Sequence, residues 1–167
     1  MTDIGSTTGT FLKISEPVEL KEEMILEIGS YQLIVSNIFV ASGGNPEDIL
    51  KDSFVEFTIY ESPEDMNEKV FKLHSGDSIG RKQNNNVCFS DDLHMSNLHC
   101  KINLIGDKFN FEDIASTNGS WLRLSKECEE SKPSNLTHGT IFKIGNSAMY
   151  EVFDPESEKK VEPGENS

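Results

Sequence analysis

The chain is dominated by short runs of alternating or apolar residues, separated by turn residues. Such runs occupy residues 53–60, 69–73, 86–90, 100–105, 108–114, 120–125, 140–145 and 148–153. In the run KFNFEDI, Phe109 and Phe111 fall on one face while Asn110 and Glu112 fall on the other, which is typical of a half-buried strand. Helical periodicity is almost absent. The pattern therefore predicts an all-β fold, an antiparallel β-sandwich.

An internal repeat divides the chain. DIGSTTGTFLKIS (3–15) and DIASTNGSWLRLS (113–125) are identical at seven of 13 positions, and MILEIG (24–29) parallels TIFKIG (140–145). We interpret residues 1–36 as the C-terminal half of a second copy of the domain at 53–153. Residues 37–52 are interpreted as a linker with a short helical turn after Pro46, and residues 154–167 as a disordered tail.

Two arrangements are open to the N-terminal half-copy. The chain is either a piece of a tandem protein in which this segment stays undocked, or its strands pack against the intact copy. Both follow from the fact that half a domain has no obvious way to close a core on its own, and we favour the undocked fragment. An intramolecular or tandem contact between the copies is the alternative.

Composition and charge exclude several classes of protein. The chain carries 15 basic and 29 acidic residues, for a net charge of −14, so a broad basic surface for nucleic acid or an anionic membrane is not expected. The longest apolar run, residues 31–41, is too short and too polar to span a bilayer. No secretory signal is visible, and three cysteines favour reduced thiols. We therefore expect an intracellular protein of the nucleus or cytoplasm.

The cluster of cysteine and histidine residues near position 90 raises the question of a metal site or a catalytic thiol. It contains no CxxC pair, and a strand that begins at Cys100 would direct His99 to its opposite face. Cys88 lies between Val87 and Phe89, where a free thiol usually packs as a small core residue. No acid–base pair and no nucleotide-binding loop is recognisable either. We expect no metal, no cofactor and no enzymatic activity.

Three polar loops offer a different chemistry. Gly80-Arg81 follows an apolar residue, Ser96-Asn97 precedes the run at 100–105, and Ser116-Thr117-Asn118-Gly119 lies between two runs. Loops gather at the ends of a sandwich, so these could form one cluster of hydrogen-bond donors. A guanidinium, hydroxyls and amides with little acid among them suit a phosphate dianion.

The order and spacing of these motifs resemble the forkhead-associated (FHA) domain, a family of phospho-motif readers. The resemblance covers roughly residues 53–153 and implies a sandwich of about eleven strands that binds phosphothreonine peptides in an intracellular signalling protein. The N-terminal strands would be additional to it.

The resemblance also implies roles for individual residues. The phosphopeptide contacts would be Arg81, Ser96, Asn97, Thr117 and Asn118. Gly80, His99 and Gly119 would support the binding loops. The family's commonest pattern has Arg where Asn97 stands, which implies one positive charge fewer at the phosphate. The first copy has Thr8 in place of Asn118 and lacks the other loops, so it should bind no phosphopeptide on its own.

The excess acidity does not decide against an anionic ligand. At physiological salt the Debye length is about 8 Å, so distant carboxylates are largely screened. Nearby cations, namely Arg81, Lys82, Lys101 and Arg123, would set the local potential. The alternative function is a structural or oligomerisation module that keeps the sandwich without binding phosphopeptide.

Overall fold

The computed structural model describes residues 1–60, 69–146 and 148–156, which form thirteen strands and one helix. The elements are β1 (Thr10–Lys13), β2 (Val18–Glu19), β3 (Ile25–Ile28), β4 (Tyr31–Phe39), α1 (Pro46–Asp52), β5 (Phe54–Ile59), β6 (Val70–Leu73), β7 (Ser78–Gly80), β8 (Val87–Cys88), β9 (Cys100–Ile105), β10 (Lys108–Asp113), β11 (Ser120–Arg123), β12 (Ile141–Ile144) and β13 (Ala148–Glu151). The all-β prediction is confirmed. Most of the predicted tail, residues 157–167, lies outside the described residues.

The chain divides into two compact units, one of residues 14–123 and one of residues 1–13 with 124–167. The unit of residues 14–123 is a sandwich of two sheets. One has the strand order β11-β3-β4-β5-β6 and the other the order β2-β10-β9-β7-β8. All pairs in this unit are antiparallel except β7 with β8.

The core of this sandwich comes from alternate residues of the facing strands. Leu26, Val35, Phe57, Ile102 and Phe111 are each almost completely buried and belong to one continuous apolar cluster. Burial of a side chain of this size contributes about 1.5–3 kcal/mol. Polar residues such as Glu27, Asn103 and Asn110 alternate with them and are half-buried, and this alternation identified β9 and β10 in the sequence.

The N-terminal segment does not behave as the undocked fragment that we favoured. In the unit of residues 14–123, β2 pairs with β10, while β3 pairs with both β11 and β4. Ile25, Leu26 and Ile28 are buried in its core. That expectation was wrong for residues 14–36, because β2 and β3 form sheets with β10 and β11 of the same compact unit. The compact units therefore do not follow the boundaries expected from the repeat.

The region expected to be a linker begins later than the sequence indicated. β4 continues to Phe39 and pairs with β5, with a register shift between Val35 and Asn37. The short helix α1 follows, and the Asn45 side chain caps it by accepting a hydrogen bond from the amide of Asp48 at 3.0 Å. Among the described residues, no helix is long and apolar enough to cross a membrane.

In the other unit, β1 pairs with β12, and β12 pairs with β13. The loop before β1 is organised by Asp3, whose carboxylate accepts hydrogen bonds from the amides of Gly5 and Ser6 and from the Ser6 hydroxyl. Burial acts to raise the pKa of Asp3, but these hydrogen bonds outweigh it and lower the pKa from 3.8 to about 2. The charged carboxylate therefore stabilises this loop.

We expect Asp3→Asn to lower the free energy of unfolding at neutral pH by roughly 2 kcal/mol, the value of a shift of nearly two pKa units. Because the folded-state pKa is the lower one, the contribution is complete above about pH 4 and disappears as the pH falls towards 2. Urea unfolding of both proteins across this pH range measures the difference. Asp107→Asn, in an exposed turn, is the control for loss of a carboxylate. A wild-type–mutant difference that stays constant with pH would contradict this account of Asp3.

Candidate functional site

The first loop of the site begins where β7 ends. The amide of Arg81 donates to the carbonyl of Ser96 at 2.9 Å, and the Arg81 guanidinium reaches the side-chain oxygen of Asn97 at 3.5 Å. A Cβ on Gly80 would overlap the carbonyl of Asn97 and lie 2.7 Å from the Asn85 amide nitrogen. Gly80 is therefore needed for the close approach of two backbones, which brings Arg81 beside Ser96 and Asn97.

The second loop is held by His99, whose side chain is fully buried. Its Nδ1 accepts a hydrogen bond from the Ser96 amide at 3.1 Å, so Nε2 carries the proton and donates to the carbonyl of Gly119 at 3.3 Å. Burial lowers the pKa of His99, and the Asp113 carboxylate, 3.7 Å from Nε2, offsets only part of this. A neutral imidazole thus connects the loop of Ser96 to the loop of Gly119.

The third loop completes the arrangement. The Thr117 amide donates to the Ser96 hydroxyl oxygen at 3.0 Å, and the Asn118 side-chain amide donates to the carbonyl of His94 at 2.8 Å. Thr117 and Asn118 are both exposed. Gly119 follows with φ +75°, in the left-handed region that favours glycine. The turn therefore presents two polar side chains to solvent directly beside Ser96.

These contacts bring together the eight residues to which the resemblance assigned ligand contacts or support of the loops. Arg81, Ser96, Asn97, Thr117 and Asn118 carry the polar groups at the surface, and Gly80, His99 and Gly119 hold the loops. The Ser96 hydroxyl accepts one hydrogen bond and can still donate its own proton to a ligand. The arrangement offers a guanidinium, two hydroxyls and two amides on one surface, which suits an anion that carries several acceptor oxygens.

Arg123 does not contribute to this surface as the sequence suggested. It lies in β11 with a buried side chain that donates to Gln32 at 2.8 Å and stacks over the Tyr60 ring, 5.4 Å from its centroid. Lys82, by contrast, is exposed in the loop after Arg81. The difference arises because the Arg123 side chain is engaged by Gln32 and Tyr60, two contacts that its position in the sequence does not reveal.

Cys100 and Cys88 lie close to the three loops and differ in their surroundings. Cys100 is completely buried, and burial raises the pKa of its thiol well above the ordinary value, which disfavours the nucleophilic thiolate. The Cys88 thiol lies 3.2 Å from the carbonyl of Arg81. Across residues 1–60, 69–146 and 148–156, no three His, Cys, Asp or Glu side chains converge as metal ligands would.

Two residues that support the loops were missed in the sequence. Asn85 is buried, and its side-chain amide donates at 2.7 Å to the carbonyls of both Lys82 and Asn97. Asp113 accepts hydrogen bonds from the hydroxyls of Ser116 and Ser120. The repeat contained a signal for Asp113, because its counterpart Asp3 organises the equivalent loop. Asn85 carried none, since one of three consecutive asparagines reads only as a turn.

A family model for the FHA domain matches residues 78–145. The match includes all three loops of the site and continues through β12. No curated protein and no solved structure matches the chain. The family match supports an FHA domain, and FHA domains are in general non-enzymatic modules that recognise phosphorylated partners.

Proposed function

We propose that the chain binds phosphothreonine peptides through the three loops that carry Arg81, Ser96, Asn97, Thr117 and Asn118. The observation that carries this proposal is the hydrogen-bonded convergence of Ser96 with its neighbours. Its amide and carbonyl bind His99 and Arg81, while its hydroxyl oxygen receives the amide of Thr117. The family match over the same residues gives independent support.

Each group has a distinct task in this proposal. The Arg81 guanidinium and the Ser96 hydroxyl bind the phosphate oxygens, with the side-chain amide of Asn97 as a further donor. Thr117 contacts the phosphorylated residue. Asn118 holds the peptide main chain through its side-chain amide group. The hydrogen bond from this group to the carbonyl of His94 fixes its orientation. Bonds between charged partners are about twice as strong as neutral ones, so most of the affinity comes from the phosphate.

Selectivity for phosphothreonine over phosphoserine has a modest energetic basis. The extra methyl group contributes about 0.8 kcal/mol when it is fully buried, which corresponds to roughly a fourfold difference in affinity. A preference much larger than tenfold requires a clash or a lost hydrogen bond in the phosphoserine complex.

Fluorescence anisotropy with three degenerate peptide pools tests the proposal. The pools carry phosphothreonine, phosphoserine or unmodified threonine at the central position and are otherwise identical. We expect the phosphothreonine pool to bind at least 50-fold more tightly than the unmodified pool, as two charge-assisted hydrogen bonds allow. Equal binding of the phosphothreonine and unmodified pools would refute it.

A structural or oligomerisation module is the second candidate function. The β12–β13 hairpin favours it, because Ile144, Met149 and Tyr150 are exposed to 52%, 71% and 47%. Sedimentation velocity over a range of concentrations measures self-association. Assembly that persists in Met149→Lys/Tyr150→Lys, or a chain that is monomeric throughout, would contradict a role for this surface.

A further inference from the structure

The turn between β3 and β4 binds the carboxylate of Asp92, which lies 62 positions away in the sequence. The Ser30 amide donates to Asp92 at 2.7 Å, and the Ser30 hydroxyl donates to the second oxygen of the same carboxylate at 2.9 Å. Asp92 is almost completely buried. The two bonds fix the orientation of this carboxylate from both sides.

The contacts continue from Asp92 into the proposed binding loops. The amide of His94 donates to Asp92 at 2.9 Å, and the carbonyl of His94 accepts the Asn118 side-chain amide at 2.8 Å. Ser30, Asp92, His94 and Asn118 thus form a continuous chain of hydrogen bonds. A cavity of about 330 Å³ borders the junction, with Ser30, Asp92 and His94 in its wall.

Asp92 is charged in this arrangement. Burial acts to raise its pKa, but the hydrogen bonds from Ser30 and His94 outweigh burial and hold the pKa below the ordinary value. A charged acceptor strengthens each of these bonds. The position of the His94 backbone therefore depends on the two donors of Ser30.

Gly29 is the residue that lets the turn approach Asp92. Its φ is +61°, and a Cβ at this position would overlap the Asp92 carboxylate and lie 3.1 Å from the Cβ of Met95. A side chain here would have to displace the carboxylate as well as strain the backbone. The absence of a side chain at Gly29 therefore allows the turn to lie directly against Asp92.

The internal repeat supplies a comparison within the molecule. Gly145 follows β12 as Gly29 follows β3, and its φ is also +61°. The nearest atom to a Cβ there is the Thr8 hydroxyl oxygen at 3.2 Å, a looser contact with a small side chain. The two glycines have the same backbone requirement and different neighbours.

We propose that Gly29 and Ser30 are positioning residues of the phosphopeptide site, because they hold Asp92, which binds the loop of His94, and the His94 carbonyl in turn holds Asn118 of the neighbouring loop. The inference rests on the proposed function for its effect on affinity. In this proposal the turn of Gly29 and Ser30 completes the binding site. This turn lies outside the family match, residues 78–145, and outside the domain expected from the sequence, residues 53–153.

Four substitutions in the full chain test the inference: Gly29→Ala, Gly145→Ala, Ser30→Ala and Ser30→Thr. Affinity for the degenerate phosphothreonine pool is measured together with the melting temperature. We expect Gly29→Ala to weaken binding at least tenfold and Gly145→Ala less than twofold, although both strain the same backbone conformation. Ser30→Ala should weaken binding about threefold to tenfold, and Ser30→Thr, which keeps the hydroxyl, should restore it.

Equal losses of affinity in Gly29→Ala and Gly145→Ala would overturn the inference, as would wild-type affinity in Gly29→Ala. If Gly29 and Ser30 had a purely structural role, their substitution would lower the melting temperature, and Ser30→Thr would not restore the affinity for the phosphothreonine pool.

Hydrogen exchange without peptide separates this inference from the proposed function. Faster exchange at residues 93–97 in Gly29→Ala, with no change in Gly145→Ala, supports the positioning role even if the wild-type chain binds no phosphopeptide. Unchanged exchange at residues 93–97 in Gly29→Ala would refute it whatever the peptide result.

Discussion

Arg81→Ala is expected to weaken binding of the phosphothreonine pool by about 10- to 150-fold, since hydrogen bonds to a charged group contribute about 1.5–3 kcal/mol. Arg81 is half-buried, and its guanidinium lies beside Asn97 at the junction of two loops. The loss should be confined to the phosphorylated pool, because the contact is to the phosphate. Anisotropy titrations of both pools against wild type and mutant measure it.

Two further substitutions control for the charge itself. Lys82→Ala removes the same unit charge from the next residue, which is exposed, and should cost less than about fivefold, as expected for a solvent-screened charge. Arg81→Lys retains the charge and loses the planar pair of donors, so we expect an intermediate affinity. Equal losses in Arg81→Ala and Lys82→Ala, or equal losses for the two pools, would show that Arg81 does not bind the phosphate.

His99→Leu is expected to lower the free energy of unfolding by about 2–4 kcal/mol, because one buried and one partly buried polar group lose their partner. These are the amide of Ser96 and the carbonyl of Gly119. Since they lie in different loops, the substitution should also weaken binding of the phosphothreonine pool well beyond the loss from unfolded protein alone. Urea unfolding and titration at a temperature where the mutant is folded measure the two effects.

His74→Leu is the matched control for this substitution. His74 is partly buried and, like His99, binds a carbonyl, that of Ser53 at 2.8 Å, but its contacts are with Ser53, Phe54 and Asp77 rather than with the three loops. The His74→Leu substitution should lower the free energy of unfolding without changing the affinity for the phosphothreonine pool. If His74→Leu and His99→Leu have the same effect on affinity, His99 has no special role in the site.

The burial of neutral His99 also predicts a pH dependence. Its folded-state pKa is lowered, so the unfolded chain takes up a proton first as the pH falls. The contribution of His99 to stability is complete above about pH 6.5 and declines below it. This decline should be absent in His99→Leu.

The positions of most strands were predictable from the sequence, but the partner of each strand in its sheet was not. Alternation of apolar residues identified β9 and β10, because one face of each is buried. The sequence does not predict the partner of β11, since the similar segments MILEIG and TIFKIG contain β3 and β12. In the structure Ser120 pairs with Ile28, and the repeat-equivalent Thr10 pairs with Ile144. Both strands satisfy the same register, so the local sequence cannot distinguish between them.

In the candidate site too, some residues were predictable from the sequence and others were not. The residues that we propose as ligand contacts, among them Arg81, Ser96 and Asn118, lie in motifs whose order and spacing were visible in the sequence. Residues that hold the loops depend on contacts between distant segments. Ser30 and Asp92 are 62 positions apart, and neither has an unusual neighbourhood in the sequence. Only the folded arrangement reveals that they meet.

The most direct test of the central claim is to map backbone amide chemical shifts while the phosphothreonine pool is added, and then to repeat the titration with its unmodified twin. We expect the phosphorylated pool to shift the amides of Arg81, Ser96, Asn97, Thr117 and Asn118 and the twin to leave them unchanged. Equal shifts with both pools, or shifts confined to residues 1–13 and 124–153, would contradict the claim that these loops bind the phosphate.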